Sequence, residues 1–322
     1  MALSTPLTRL LGIAHPVLLA PMALISGGRL AAAVSEAGGL GLIGGGYGDA
    51  GWLAREIAAA GNARVGVGFI TWSLAQNPGL LARVLAHRPA AILFSFGDER
   101  PFVAAAKDVG AKVIVQVQSV AQARAAAANG ADVIVAQGTE AGGHGALRAT
   151  LPLVPAVVDA VHPLPVVAAG GLADGRGLAA MLTFGAAGVL LGTRFYAARE
   201  SLAAEAAKRL LAEASGDHTA RGSAVDIARG IEWPAPYTLR TLRNDFVDRW
   251  QGREAALRQV AAAEARRYGE AQRAGDFTTA AVIAGEAADL IRDVPAAGEI
   301  VRRIAAEAER LLRGGALDNL GA

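Results

Sequence analysis

Over its first two hundred residues the chain alternates short apolar runs rich in β-branched side chains with Ala-rich segments of helical character. No other feature restricts the possible folds so strongly. The runs are Pro16–Met22, Leu40–Gly46, Arg64–Ile70, Ala90–Phe96, Lys112–Val117, Asp132–Gln137, Pro165–Gly171 and Ala187–Phe195. They show little polar alternation, as expected of strands buried on both faces of a parallel sheet. Between them, Asp49–Ala60, Asn77–His87, Pro101–Val109 and Ser119–Asn129 carry Asp, Asn or Ser near several starts and Gly near several ends. That is helix punctuation. Eight strands, each followed by a helix, predict an α/β fold, a (β/α)8 TIM barrel.

Successive runs begin about 20–26 residues apart, a compact β/α unit, except after the sixth, where the interval is about 33. The surplus is the loop 138–149. Loops that follow barrel strands sit at the active face, so chemistry is expected there. Strand signals stop past Phe195, and Arg, Glu and Ala rise in helical periodicity through Ala262–Tyr268, Thr278–Arg292 and Glu299–Leu312. The expected division is a barrel of residues 1–199 and 296–322, with a smaller C-terminal helical lobe, 200–295, across its mouth.

Composition narrows the chemistry. With 53% hydrophobic and 19% charged residues the chain buries a core and is not disordered. It has no cysteine, which excludes thiolate metal sites, iron–sulfur clusters and a cysteine nucleophile. The formal charge is only +2 and no basic tract stands out, so nucleic acid is not an expected partner. The apolar stretch Leu151–Ala173 contains Asp159, His162 and four prolines, so no membrane span is expected. Residues Met1–Leu11 carry one Arg and no basic-then-apolar pattern, and a cytoplasmic location is expected. His15, His87, His162 and His218 do not converge with His144 in a metal-ligand spacing, so no metal is expected. The final helices, with Arg292, Glu299, Arg302 and Arg303, leave a homo-oligomer open.

Gly39-Leu-Gly-Leu-Ile-Gly44 matches a dinucleotide fingerprint, but within a predicted strand; the fingerprint should follow a strand and open a helix. It reads as glycines in a tightly curved strand. Two other glycine sites are better placed. Gly170-Gly171 ends the seventh run, and Gly192-Thr193 ends the last strand 21 residues later (192 − 171 = 21), one β/α unit on. Backbone N–H groups there can converge on a phosphate, assisted by a hydroxyl and a helix N-terminus. The third site is Gln137-Gly-Thr-Glu-Ala-Gly-Gly-His-Gly145, a histidine among glycines on the enlarged loop. Its imidazole titrates nearest neutral pH, which suits proton transfer. Glu140 is either its partner or an acceptor for backbone N–H groups that shapes the loop. Tyr47, Trp72 and Trp233 are candidate walls for a small apolar substrate, or simply packing.

Ala20-Pro21-Met22, the stretch Gln137–His144, Ala169-Gly170-Gly171 and Leu191-Gly192-Thr193-Arg194-Phe195 closely resemble the nitronate monooxygenase family, formerly 2-nitropropane dioxygenases. The E-A-G-G-H stretch is shared with flavin-dependent enoyl-acyl-carrier-protein reductases. The resemblance runs in order from about Pro6 to Phe195 and implies FMN as cofactor. It places the phosphate near Gly171, Gly192 and Thr193, lines the flavin with Gln137 and Gly142, backs its ring with Ala20–Met22, and makes His144 the catalytic base. The implied cofactor-facing set is Ala20, Pro21, Met22, Gln116, Gln137, Gly142, Gly143, Gly170, Gly171, Gly192 and Thr193. The implied reaction is oxidation of alkyl nitronates with O2. An NAD(P)H-dependent reductase of enoyl thioesters or quinones is an alternative, as is a non-catalytic flavin or phosphate binder. The chain departs from the family at Gly68, where an Asn is usual, an exchange expected to remove a polar contact and open space. Gln116 stands where some members have a Lys.

Overall fold

The structure, a computed structural model, describes residues 3–315. Residues 1–2 and 316–322, assigned above to the barrel, lie outside the described residues. The barrel strands are β1 (Val17–Leu19), β2 (Leu42–Gly44), β3 (Gly66–Ile70), β4 (Ala91–Ser95), β5 (Lys112–Val117) and β6 (Val133–Gln137). After them, β7 (Gly143–Gly145) belongs to another sheet, and β8 (Val166–Ala169) and β9 (Gly188–Leu191) complete the barrel. All neighbours pair in parallel in the order β1-β9-β8-β6-β5-β4-β3-β2. A parallel bridge between Leu18 and Leu40 joins the two ends. The (β/α)8 expectation is met, and every strand falls inside its expected run. The last run ends early, because Thr193–Tyr196 turns into a short helix.

Alternation along each strand sorts the core into two shells. Leu18, Leu93, Ile114, Val133, Val135, Val167 and Leu190 fill the barrel, joined by Leu7 and Leu11 of the helix Pro6–Leu11. Their neighbours Val17, Ile92, Phe94, Val113, Ile134, Val166 and Val189 pack outward against Leu30, Leu53, Leu81, Leu153 and Leu178 of the surrounding helices. Each buried Leu, Ile or Val contributes roughly 1.5–3 kcal/mol, so an almost entirely aliphatic set suffices. Helix starts are capped as the sequence suggests. Asp49 accepts from the Trp52 N–H (2.8 Å), Ser119 from Gln122 (3.2 Å) and Asp174 from Gly177 (3.2 Å). Near the C-terminus, the helix Ala297–Arg310 lies against helices Gly175–Thr183 and Gly28–Glu36, burying Ile300, Val301, Ile304 and Ala308.

The region past Phe195 differs from the all-helical expectation. It contains β10 (Thr219–Gly222) and β11 (Thr238–Leu242), which form an antiparallel sheet in the order β10-β11-β7. Thus the enlarged loop of the barrel supplies the third strand, with His144 opposite Leu239 and Gly143 opposite Arg240. Both lobe strands are short and each carries an arginine, which hides the alternating pattern. Thr278–Arg292 is not the expected helix; only Glu286–Leu290 forms a 3-10 turn. Tertiary contacts override its propensity. Its backbone bonds across the barrel mouth, Glu286 N–H to Glu140 O (2.9 Å), while Val282 O accepts from Leu242 N–H (2.9 Å).

Candidate active site

Parallel pairing brings all eight strand ends to one rim, and the residues just beyond them enclose a single cavity. It holds about 1260 Å³ of space free of protein atoms, part of it continuous with solvent. Its lining includes Ala20, Pro21, Met22, Gln116, Gln137, Gly142, Gly143, His144, Gly170, Gly171, Gly192 and Thr193. Every expected cofactor-facing residue and His144 therefore border the same space, whereas Glu140 and Trp72 do not line it. No carboxylate is among the lining residues, whereas Arg229 is.

One wall is glycine backbone. Gly170 and Gly171 hold φ at +103° and +70°, conformations that L side chains rarely adopt. The Gly171 N–H meets no protein acceptor among the described residues. Thr193 opens its short helix, and its hydroxyl accepts from the Gly285 N–H (3.0 Å), which leaves its own proton to donate. The helix after β8 is a different matter. Its first N–H groups are already taken by Asp174 and by Glu307, which accepts from Gly175 (2.7 Å). The expected assistance of a helix N-terminus is therefore missing at this strand, and the donors left among these cavity-lining residues are the Gly171 N–H and the Thr193 hydroxyl, beside Gly192.

The opposite wall is the loop that bears His144. Two lobe arginines hold it by its carbonyls. Arg221 donates to Ala141 O (2.8 Å) and Thr139 O (2.9 Å), and Arg240 to Thr139 O (3.0 Å). Burial, with the charge of Arg240 nearby, pushes the Arg221 guanidinium down to about 10, so it stays a cation at neutral pH. The Glu140 carboxylate accepts from the Thr150 N–H (2.9 Å) and hydroxyl (2.7 Å). It shapes the loop and is not the partner of His144. That partner is Asp226, whose Oδ2 lies 2.9 Å from His144 Nε2. Sequence reasoning missed Asp226, 82 positions away on the lobe helix Ala224–Arg229. The one available signal was an acidic residue between Val225 and Ile227, flanked by apolar neighbours.

Amides beneath the loop are ordered by a single carbonyl. Gln137 Nε2 donates to His144 O (3.1 Å), so its Oε1 must face Gln116 (3.2 Å) and Gln118 (2.8 Å), whose Nε2 groups donate to it. Above, Trp233 stacks on the imidazole with centroids 3.4 Å apart and planes 11° apart. Trp233 donates its indole N–H to Tyr47 Oη (3.0 Å). Tyr47 and Trp233 line the cavity; Trp72 stands behind them, 5.5 Å from Trp233. Phe96 keeps a left-handed backbone (φ +59°), a strain of about 1–3 kcal/mol that turns its ring edge-on to His144 (6.4 Å). Burial lowers the His144 pKa from its ordinary value, opposed by the hydrogen bond and charge of Asp226 and reinforced by Arg229 and Arg221. The imidazole is therefore neutral at pH 7, the form that accepts a proton.

Gly68 does not open space in the expected way. A Cβ there would meet Pro21 Cγ at 2.2 Å, so the proline ring occupies the room a side chain would need. The glycines of Gly39–Gly44 serve close packing, since a Cβ on Gly41 would meet Ala31 O at 1.9 Å. Among the described residues no cluster of acidic and histidine side chains is arranged to hold a metal. None of their helices is long and apolar enough to cross a membrane.

A family profile described as nitronate monooxygenase matches residues 4–66 and 70–307, breaking at 67–69 around Gly68. A nitronate monooxygenase of Metarhizium robertsii is 36% identical, with 92% of this chain and 91% of the relative covered. The (3aS,4S,5R,7aS)-5-hydroxy-7a-methyl-1-oxo-octahydro-1H-indene-4-carboxyl-CoA dehydrogenase of Mycobacterium tuberculosis is 38% identical, covering 81% of this chain and 74% of the relative. Among solved structures, FabK from Thermotoga maritima superposes with a TM-score of 0.86 at 32% identity, covering 99% of each chain. The profile spans nearly the whole chain and agrees with the cavity, so this oxidoreductase belongs to the nitronate monooxygenase family.

Proposed function

We propose that the chain oxidises small alkyl nitroalkanes and their nitronates with FMN and O2, using His144 as the base, and that it works in the cytoplasm. The observation that carries this reading is the meeting, in one cavity, of a backbone anion cradle and a neutral, buried imidazole. The residues present suit FMN. The Gly171 N–H has no protein acceptor among the described residues, and a Cβ on Gly192 would meet only Ala20 Cβ and Met22 Sδ, both residues of the cavity lining and each atom 3.6 Å away, so bare backbone borders the cavity there. No lining carboxylate repels a phosphate. Gly171, Gly192 and Thr193 would hold the phosphate, and Ala20–Met22, Gln116, Gln137, Gly142, Gly143 and Gly170 would line the ring. FMN, when bound, supplies the redox chemistry; the chain's own residues bind, orient and move a proton. His144 takes the hydrogen α to the nitro group, while Tyr47, Phe96 and Trp233 keep water from the reacting carbon. The barrel of 3–199 with 296–315 would bind the cofactor, and the lobe of 200–295 would supply its cover. The test is purification followed by O2 uptake. Bound flavin and O2 consumption with a nitroalkane are expected, and a colourless protein inert toward nitroalkanes and nitronates would defeat the reading.

A second reading is favoured by the 38% identical relative, which is named for a carboxyl-CoA ester. In an NAD(P)H-dependent reduction of an enoyl thioester the nicotinamide would supply the electrons through the flavin, and the same imidazole, protonated, would return the proton that the carbon α to the carbonyl gains. Anaerobic bleaching by NADH or NADPH, with none by a nitronate, would select this reading.

A further inference from the structure

The cavity uses one nitrogen of His144, and the surroundings decide which. We propose that Asp226 is a positioning residue that holds His144 in the Nε2–H tautomer, so that Nδ1 is the atom that receives the substrate's proton. This rests on the reading of His144 as base. An ionised carboxylate can only accept a hydrogen bond, so the 2.9 Å contact between Oδ2 and Nε2 places the proton on Nε2. A neutral imidazole carries one ring proton, which leaves Nδ1 with its lone pair. Among the described residues Nδ1 meets no protein partner, yet it is not one of the buried, unpartnered atoms. It therefore opens on the cavity that His144 lines.

The ring has little freedom to present its other nitrogen. Trp233 covers one face at 3.4 Å, β11 pairs the backbone at Leu239, and Gln137 holds the His144 carbonyl. Asp226 is only 3% exposed and sits on the same short helix as Arg229. Arg229 Nη1 stands 3.9 Å from Asp226 Oδ1, the carboxylate oxygen that makes no hydrogen bond. In the proton-transfer step the C–H bond α to the nitro group breaks. Its electron pair forms the C=N π bond of the nitronate as the N=O π pair moves onto oxygen, and its proton bonds to Nδ1. The resulting imidazolium keeps Nε2–H on Asp226, which offsets the new charge.

The arrangement predicts an inverted order of damage. In Asp226→Asn the amide oxygen turns toward Arg229, so the NH2 faces Nε2 and drives the imidazole to the Nδ1–H tautomer, which cannot take a proton. Asp226→Ala leaves the tautomer free. A purely structural role would make alanine, which leaves a void, the worse of the two. The experiment is a long-range 1H–15N spectrum of the 15N-histidine-labelled holoenzyme, with the His144 signal assigned by its loss in His144→Gln, alongside turnover of a neutral nitroalkane. Expected are an Nε2–H tautomer in the wild type, an Nδ1–H tautomer in Asp226→Asn, and a turnover loss there on the order of 10²–10⁴-fold, larger than in Asp226→Ala. An Nδ1–H tautomer in the wild type overturns the proposal, whether or not the variants fold, and so does Asp226→Asn matching or exceeding Asp226→Ala. Undiminished turnover in His144→Gln would instead sink the reading of His144 as base, an outcome that the wild-type tautomer reports on separately.

Discussion

His144 could be placed at the cavity from sequence because glycines surround it on the one enlarged barrel loop, yet of its neighbours across the lobe only Trp233 was named. Asp226, Trp233 and Arg221 come from a segment more than seventy positions away, and no local pattern links them to it. His144→Ala should retain flavin absorbance and lose neutral nitroalkane turnover on the order of 10²–10⁴-fold, with a smaller loss on a preformed nitronate, whose proton is already gone. Burial lowers the imidazole pKa, and only the neutral form can accept a proton. The rate should therefore stay high down to pH 6.5 and fall only as the pH drops through a value below it. A pH–rate profile with its acid limb centred above 6.5 would contradict this. Gly68 teaches a different lesson, because its missing side chain is matched by Pro21 (a partner 47 positions away). Gly68→Asn should cost about 1–3 kcal/mol in urea unfolding. Pro21→Ala in the same chain should recover part of that, whereas simple additivity would refute the packing argument.

At the scale of elements, the barrel strands were readable because burial on both faces forces uninterrupted aliphatic runs. β10 and β11 were not, because their arginines serve backbone carbonyls of the enlarged loop and so break the apolar pattern. Thr278–Arg292 has helical composition but spends its backbone groups on β11, the 140 loop and Thr193. These elements were hidden for one physical reason: their partners are remote. Arg221→Lys keeps the charge and loses the planar fork that spans the carbonyls of Thr139 and Ala141. It should lower stability by about 1.5–3 kcal/mol in a denaturant titration and weaken flavin retention, while a change below the error of the measurement would show that the loop is held by other contacts.

Across the whole molecule, β7 ties the barrel's active loop into the lobe's sheet, and the helix Ala297–Arg310 returns to the barrel beyond it. The barrel and the residues past Phe195 are thereby expected to unfold together. Far-UV circular dichroism and tryptophan fluorescence, which reports Trp52 and Trp72 on one side and Trp233 and Trp250 on the other, should give coincident transitions. Two separated transitions would contradict the coupling. The most direct measurement of the central claim is the flavin spectrum of the purified holoenzyme, mixed anaerobically with a neutral nitroalkane and then with O2. Bleaching by the nitroalkane in the wild type, its absence in His144→Ala, and recovery of the oxidised spectrum on aeration are predicted. A flavin that the nitroalkane and its nitronate both leave oxidised, but that NADH or NADPH bleaches, would contradict the account.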